Sequence, residues 1–213
     1  MKPVFTLPHD PLTKLESTTR PTPRAIRLFR KEVYANLCSV PTQLGGGDHG
    51  HLGMVMPNVD YILISTGGAD YAPPAGAPPV PEYVGTAAHV AVQQGTYQRE
   101  MQEFDDYQAI KAHMKAIMLQ AVPKTYTSAL AHPQLGYAST TPQAIMNHLL
   151  TRYGAIQEKD LADNMALLSA PWNPDDPIET VFDNGTFCRD YASEGLDPIS
   201  DPTYIRLLVQ VFD

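Results

Sequence analysis

Cysteine is almost missing: Cys38 and Cys188 are the only two in 213 residues. That excludes a disulfide framework and a cysteine-built zinc site, and it fits a reducing compartment, so a cytoplasmic protein is expected. Long apolar runs are missing too. No window approaches the roughly 18 uninterrupted apolar residues of a membrane span, and the opening MKPVFTLPHDPL has no continuous apolar core of a signal peptide. Neither a membrane partner nor secretion is expected, and the sequon Asn184-Gly185-Thr186 is then a coincidence of composition. Positive charge is also in deficit, with 15 Lys and Arg against 23 Asp and Glu and a net charge of −8. A broad basic face for nucleic acid is excluded on that balance.

What is present is a helical sequence interrupted by proline and glycine. The 20 prolines and 14 glycines fall mostly in the first 85 residues and in short spacers. Thr22 as N-cap and Pro23 at the first helical position, followed by Ile26, Phe29, Val33 and Leu37 at steps of three and four, predict an amphipathic helix over 22–37. Leu52–Met56 and Tyr61–Ser65 are short apolar runs around Pro57-Asn58-Val59-Asp60, and they predict a small β-hairpin. Gly67 to Gly85 reads GGADYAPPAGAPPVPEYVG, an extended linker with little to bury.

Helical patterns follow one another after the linker. Tyr97, Met101, Phe104, Tyr107, Met114, Ile117 and Ala121 form one stripe closed by Pro123. Thr141-Pro142 caps a helix carrying Ile145, Leu149 and Tyr153, with Gly154 as its stop. Leu161, Met165 and Leu168 mark the next. Asp176-Pro177 begins another with Ile178, Val181, Phe182 and Tyr191, in which Gly185 costs about 1 kcal/mol relative to alanine. Asp201-Pro202 opens the last, with Ile205, Leu208, Val209 and Phe212. The expected fold is mainly α: a helical bundle with an N-terminal helix plus β-hairpin segment over 1–66, a Pro/Gly-rich linker over 67–85 and a helical domain over 86–213.

Several stretches invite a chemical reading. QLGGGDHGHLGMVM, Gln43 to Met56, has a glycine run, but a phosphate loop needs Lys then Ser or Thr where Asp48 and His49 stand. His49 and His51 could reach one metal from a strand, yet two ligands without a third do not make a site. They are expected to serve the hairpin entry, with no metal and no cofactor bound. Ser65-Thr66-Gly67-Gly68 lacks the aspartate of an aspartic-protease signature. Cys188 beside Arg189 is expected to be a buried or half-buried thiol, and His113 and His148 packed or hydrogen-bonded. No catalytic constellation emerges. Trp172, Pro174, Asp176 and Pro177 predict a rigid elbow, with the indole buried between two helices and Asp176 capping the second. Arg24, Arg27, Arg30 and Lys31, with Arg20, form the one basic cluster. A solvated helix face is the first expectation there and contact with RNA the second.

Taken together, GGGDHGHLGMVM with DYILIS, MLQAVPKTYTSAL, TTPQAIMNHLLTRYG, DLADNMALLSAPWNPDDPIETVF and GLDPISDPTYIRLL resemble the Gag-like capsid region of copia-type LTR retrotransposons in their algal and protist form. The likeness runs from about Val33 to Leu208 and rests on motif order. It implies a two-lobed, mostly helical, non-enzymatic capsid protein that self-assembles around element RNA. The Cys-x-x-Cys…His…Cys zinc knuckle common in such Gags does not occur in these residues. Two alternatives stand beside it: a domesticated Gag-derived adaptor that binds other proteins, and a metal-dependent enzyme using His49 and His51.

Overall fold

A computed structural model describes residues 7–212. Its described residues form eight α-helices and several 3-10 turns. No strand forms among them, and the one β-bridge joins His132 to Gly136. The helices are α1 (Pro23–Cys38), α2 (Asn58–Ile64), α3 (Ala87–Ala121), α4 (Lys124–Thr127), α5 (Pro142–Tyr153), α6 (Glu158–Leu168), α7 (Glu179–Glu194) and α8 (Asp201–Gln210). The protein is thus mainly helical, as its sequence periodicity predicts.

Two apolar cores organise the helices. The first joins Ile26, Phe29, Val33 and Leu37 of α1 to Ile110, Met114 and Met118 of α3 and to Ile145, Met146 and Leu149 of α5. Leu12 and Leu15 enter it from an extended N-terminal segment. That segment is pinned along α1 and α3. Asn36 accepts from the His9 amide and donates to its carbonyl, both at 2.8 Å, and Leu15 N donates to Ala121 O at 2.9 Å. The second core is smaller: Leu168 of α6, Cys188 and Ala192 of α7, Ile199, and Leu207 of α8. The main helix packings, α1 on α5, α3 on α5, α6 on α7 and α7 on α8, each stay within one of these two lobes.

The hairpin expectation is overturned. Leu52–Met54 is a 3-10 turn and Asn58–Ile64 is helix α2. Short apolar runs cannot distinguish strand from helix by periodicity, and here tertiary contacts decide. Tyr61 is fully buried and donates its hydroxyl to Gly45 O at 3.0 Å, while Ser65 N closes the helix on Tyr61 O. Only one face of so short an element is needed. Val59, Leu63 and Ile64 stay exposed.

Helix α3 also departs from the predicted stripe. It begins at Ala87, where Thr86 Oγ1 accepts from His89 N, well before Tyr97. Its buried side chains start only at Tyr107, and Tyr97, Met101 and Phe104 are half-buried. The proline-rich segment lies against this first half, with Pro79 and Pro81 beside Val92, Thr96 and Tyr97.

The first core draws on residues to both sides of that segment, Leu7 to Tyr71 and Tyr107 to Leu149. A single proteolytic cut between Pro73 and Gly85 is therefore expected to leave two fragments that elute together on size exclusion. They should separate only in denaturant.

Candidate functional site

The Gln43–Met56 stretch folds by its glycines. Gly45, Gly46, Gly47 and Gly50 all have positive φ, a region open to glycine at little cost. Gly50 presses on the end of α1: a Cβ there would lie 2.5 Å from Leu37 O and 2.6 Å from Val40 O. His49 and His51 turn to different partners. The His49 Nε2 sits 2.9 Å from Ile64 O, whereas His51 Nδ1 sits 2.9 Å from the Tyr71 hydroxyl. Asp48 accepts from Thr66 N, and the Thr66 hydroxyl together with that amide holds its carboxyl below the usual carboxylate range. The expectation of polar histidines at a hairpin entry therefore fails, because the hairpin is not there and His51 is only 1% exposed.

His51 lies against Tyr71 and the Tyr107 ring of α3. Burial pushes its imidazole down to about 4, with Asp106 pulling weakly the other way. Burial also raises the Tyr71 and Tyr107 hydroxyls. The group is a neutral hydrogen-bonded cluster at neutral pH. Among the described residues no three His, Cys, Asp or Glu side chains converge as a metal site would require.

The elbow is built differently from the prediction. Trp172 is half-buried, and Asp176, Pro174 and Pro177 are exposed. Asp176 does not cap α7, which begins at Glu179 behind Ile178 with no side-chain cap. A turn preorganised by Asn173 stands in its place: Asp176 N donates to Asn173 O at 2.9 Å. The indole is steadied by the chain's far end. Trp172 N donates to Val211 O at 3.0 Å, and the ring meets Phe212 edge-on at 5.7 Å. Its Nε1 is buried without a partner among the described residues.

The basic cluster proves to be the most organised polar feature. Arg24, Arg27 and Arg30 do not form a solvated face; they turn from α1 toward the second lobe. Arg24 donates to Asn184 Oδ1 at 2.8 Å and to the buried Asn164 at 3.2 Å, and lies over the Phe187 ring. Arg27 reaches Glu194 at 2.6 Å and Gly154 O at 2.8 Å, over Tyr191. Arg30 reaches the other Glu194 oxygen at 2.5 Å. Arg20 donates to Arg152 O, so two guanidiniums serve carbonyls at the C-terminal end of α5, where the helix dipole favours positive charge. Lys31 is exposed.

Sequence reasoning missed Asn164, Asn184 and Glu194. Asn164 leaves a signal, a polar residue amid the apolar positions of α6, where Asn is a weak helix former. Glu194 leaves none.

The thiol of Cys188 is fully buried, 3.5 Å from Arg24 Nη1. His113 pairs with Asp10 at 2.8 Å, and His148 Nε2 lies 2.9 Å from Tyr126 O. These agree with the packed or hydrogen-bonded roles expected. A cavity of about 380 Å³ lies between the N-terminal segment and α1, lined by Thr13, Leu15, Thr19, Pro21, Leu28 and Phe29. Among its lining residues Thr19 Oγ1 donates to Glu16 at 3.2 Å. No helix among the described residues is long and apolar enough to cross a membrane. No protein-family model matches the chain, and neither a curated protein nor a solved structure matches it.

Proposed function

We propose that this chain is a non-enzymatic, Gag-like capsid protein that works in the cytoplasm by contacts between copies of itself, enclosing RNA. The sequence resemblance suggests the reading, and one structural observation carries it: apolar side chains face outward on helices of both lobes. Val59 and Leu63 of α2 are 70% and 83% exposed, and Ile205 and Val209 of α8 are 61% and 59% exposed. Separate apolar patches on one molecule are what head-to-tail contacts between copies use, and such contacts close into shells when the rotation permits. RNA would meet the basic cluster chiefly through the exposed Lys31 while Arg24, Arg27 and Arg30 remain engaged with the second lobe.

Light scattering and negative-stain microscopy test this reading. The wild-type protein is expected to form large, concentration-dependent particles, and Val209→Asp, which adds a charge to an exposed position, is expected to abolish them without loss of helix. A wild-type protein that stays monomeric or dimeric at every concentration would favour the domesticated adaptor instead. The enzyme alternative has less support, since the His49 and His51 rings are held by Ile64 O and the Tyr71 hydroxyl at different places.

A further inference from the structure

We propose that Arg27 and Arg30 of α1, paired with Glu194 as their shared counter-charge and flanked by Arg24, form a salt-labile latch that holds the two lobes closed about a hinge at residues 154–157. The first support is the division of the apolar cores. Core one ends at Leu149 and core two begins at Leu168, and none of the principal helix packings crosses between them. The backbone link is the short Gly154-Ala155-Ile156-Gln157 segment between α5 and α6. Lobes joined this way move relative to one another unless a large apolar interface prevents it.

The second support is what crosses the junction. The guanidiniums of Arg27 and Arg30 converge on the two Glu194 oxygens, and Arg24 is held by two asparagine side chains and an aromatic face. Arg27 is 11% exposed, Arg30 26% and Glu194 38%. The carboxylate is therefore open enough for solvent ions to reach it, while the arginines are sheltered enough for the pairing to be stronger than an isolated surface bridge. Asp160 and Asp163 also act on this junction through their field at Tyr191.

Two arginines, Arg27 and Arg30, thus meet a single carboxylate in direct contact, with Arg24 held beside them by neutral groups. Removing that one charge leaves cations facing neutral acceptors, and reversing it converts the closing force into repulsion. Added salt acts in the same direction, because the screening length falls from about 10 Å at 0.1 M to about 3 Å at 1 M. Each lobe keeps its own core throughout.

The test is an intramolecular distance. Spin labels on the exposed native Cys38 of α1 and on a cysteine introduced at the exposed Asp190 of α7 report lobe separation. Dilution with unlabelled protein suppresses distances between molecules. The wild-type distance is expected to be short and narrow at low salt, and to lengthen and broaden in about 1 M NaCl. Glu194→Lys is expected to show the long distribution already at low salt, with unchanged far-ultraviolet circular dichroism. A distance unmoved by both salt and the substitution overturns the latch. So does loss of helix in Glu194→Lys, unless the milder Glu194→Gln keeps its helices and lengthens the distance. Particle formation is read separately, so a failed latch leaves the capsid reading standing and a failed capsid leaves the latch.

Discussion

Gly50→Ala is expected to destabilise the protein by on the order of 3 kcal/mol, measured by urea unfolding. Two costs combine. The residue has φ +51°, which an L side chain adopts at about 1–2 kcal/mol. The new Cβ would also sit 2.5, 2.6 and 2.8 Å from the carbonyls of Leu37, Val40 and Cys38. Those are backbone atoms at the end of α1, and Leu37 O already accepts from His51 N at 2.9 Å. They cannot retreat as a flexible side chain would. Gly67→Ala separates the two costs: Gly67 has φ +70° with nothing within 4 Å of an added Cβ. That variant is expected to lose only the backbone part, about 1–2 kcal/mol. Equal losses in the two variants would remove close approach as the reason for Gly50.

His51 is expected to make the fold sensitive to acid. Its folded imidazole titrates at about 4 against 6.5 for the free group, so between those values the unfolded chain binds a proton that the folded chain refuses. Its stability contribution is complete above about pH 6.5 and is lost progressively as the pH falls toward 4. At about pH 4.5 the loss from this residue is on the order of 2.5 kcal/mol. His51→Asn should be destabilised at neutral pH, because the Tyr71 hydroxyl loses its fitted partner. It should nevertheless lose less stability than wild type between pH 7 and 4.5. Denaturant titrations of both proteins at the two pH values check the difference, in which the contributions of other carboxylates cancel. Parallel pH profiles would show that His51 is protonated without penalty.

The contrast between these two residues and the sequence patterns around them shows what was legible beforehand. Helix starts written locally were readable. Thr22 and Thr141 accept from Ala25 N and Ala144 N at 3.2 and 3.1 Å, as a capping threonine before proline should. Asp176-Pro177 looks similar and fails, because Asp176 closes a turn that begins three residues earlier at Asn173 and α7 starts without a side-chain cap. Apolar spacing identified the core faces of α1 and α5. It could not tell that Ile178, Phe182, Ile205 and Val209 would remain exposed, since an apolar stripe marks a surface to be covered without naming what covers it. Gly185 was read as a weak point of its helix. In the fold it is where α8 comes close, with the Tyr204 hydroxyl 2.7 Å from where a Cβ would stand.

The basic cluster teaches the same lesson from the polar side. Its spacing on α1 was visible, and its partners were not. Arg24 is 160 residues from Asn184 and Arg27 is 167 from Glu194. A polar helix face is equally compatible with water, with a nucleic acid or with another lobe. Only the placement of α7 selects among them.

Helix α3 is one continuous element of 35 residues, about 52 Å long at 1.5 Å per residue. Its buried side chains, from Tyr107 to Ala121, are welded into the first core, whereas residues 87–106 have no fully buried side chain. Those first twenty residues are thus governed by helix–coil equilibrium and by the light cover of the proline segment, since they lack the core packing from which most helical stability in proteins comes. The same rod is therefore two materials joined end to end. Amides beyond Tyr107 open only when the lobe unfolds, while those before it fray and re-form on their own, much faster, with the rest of the protein intact.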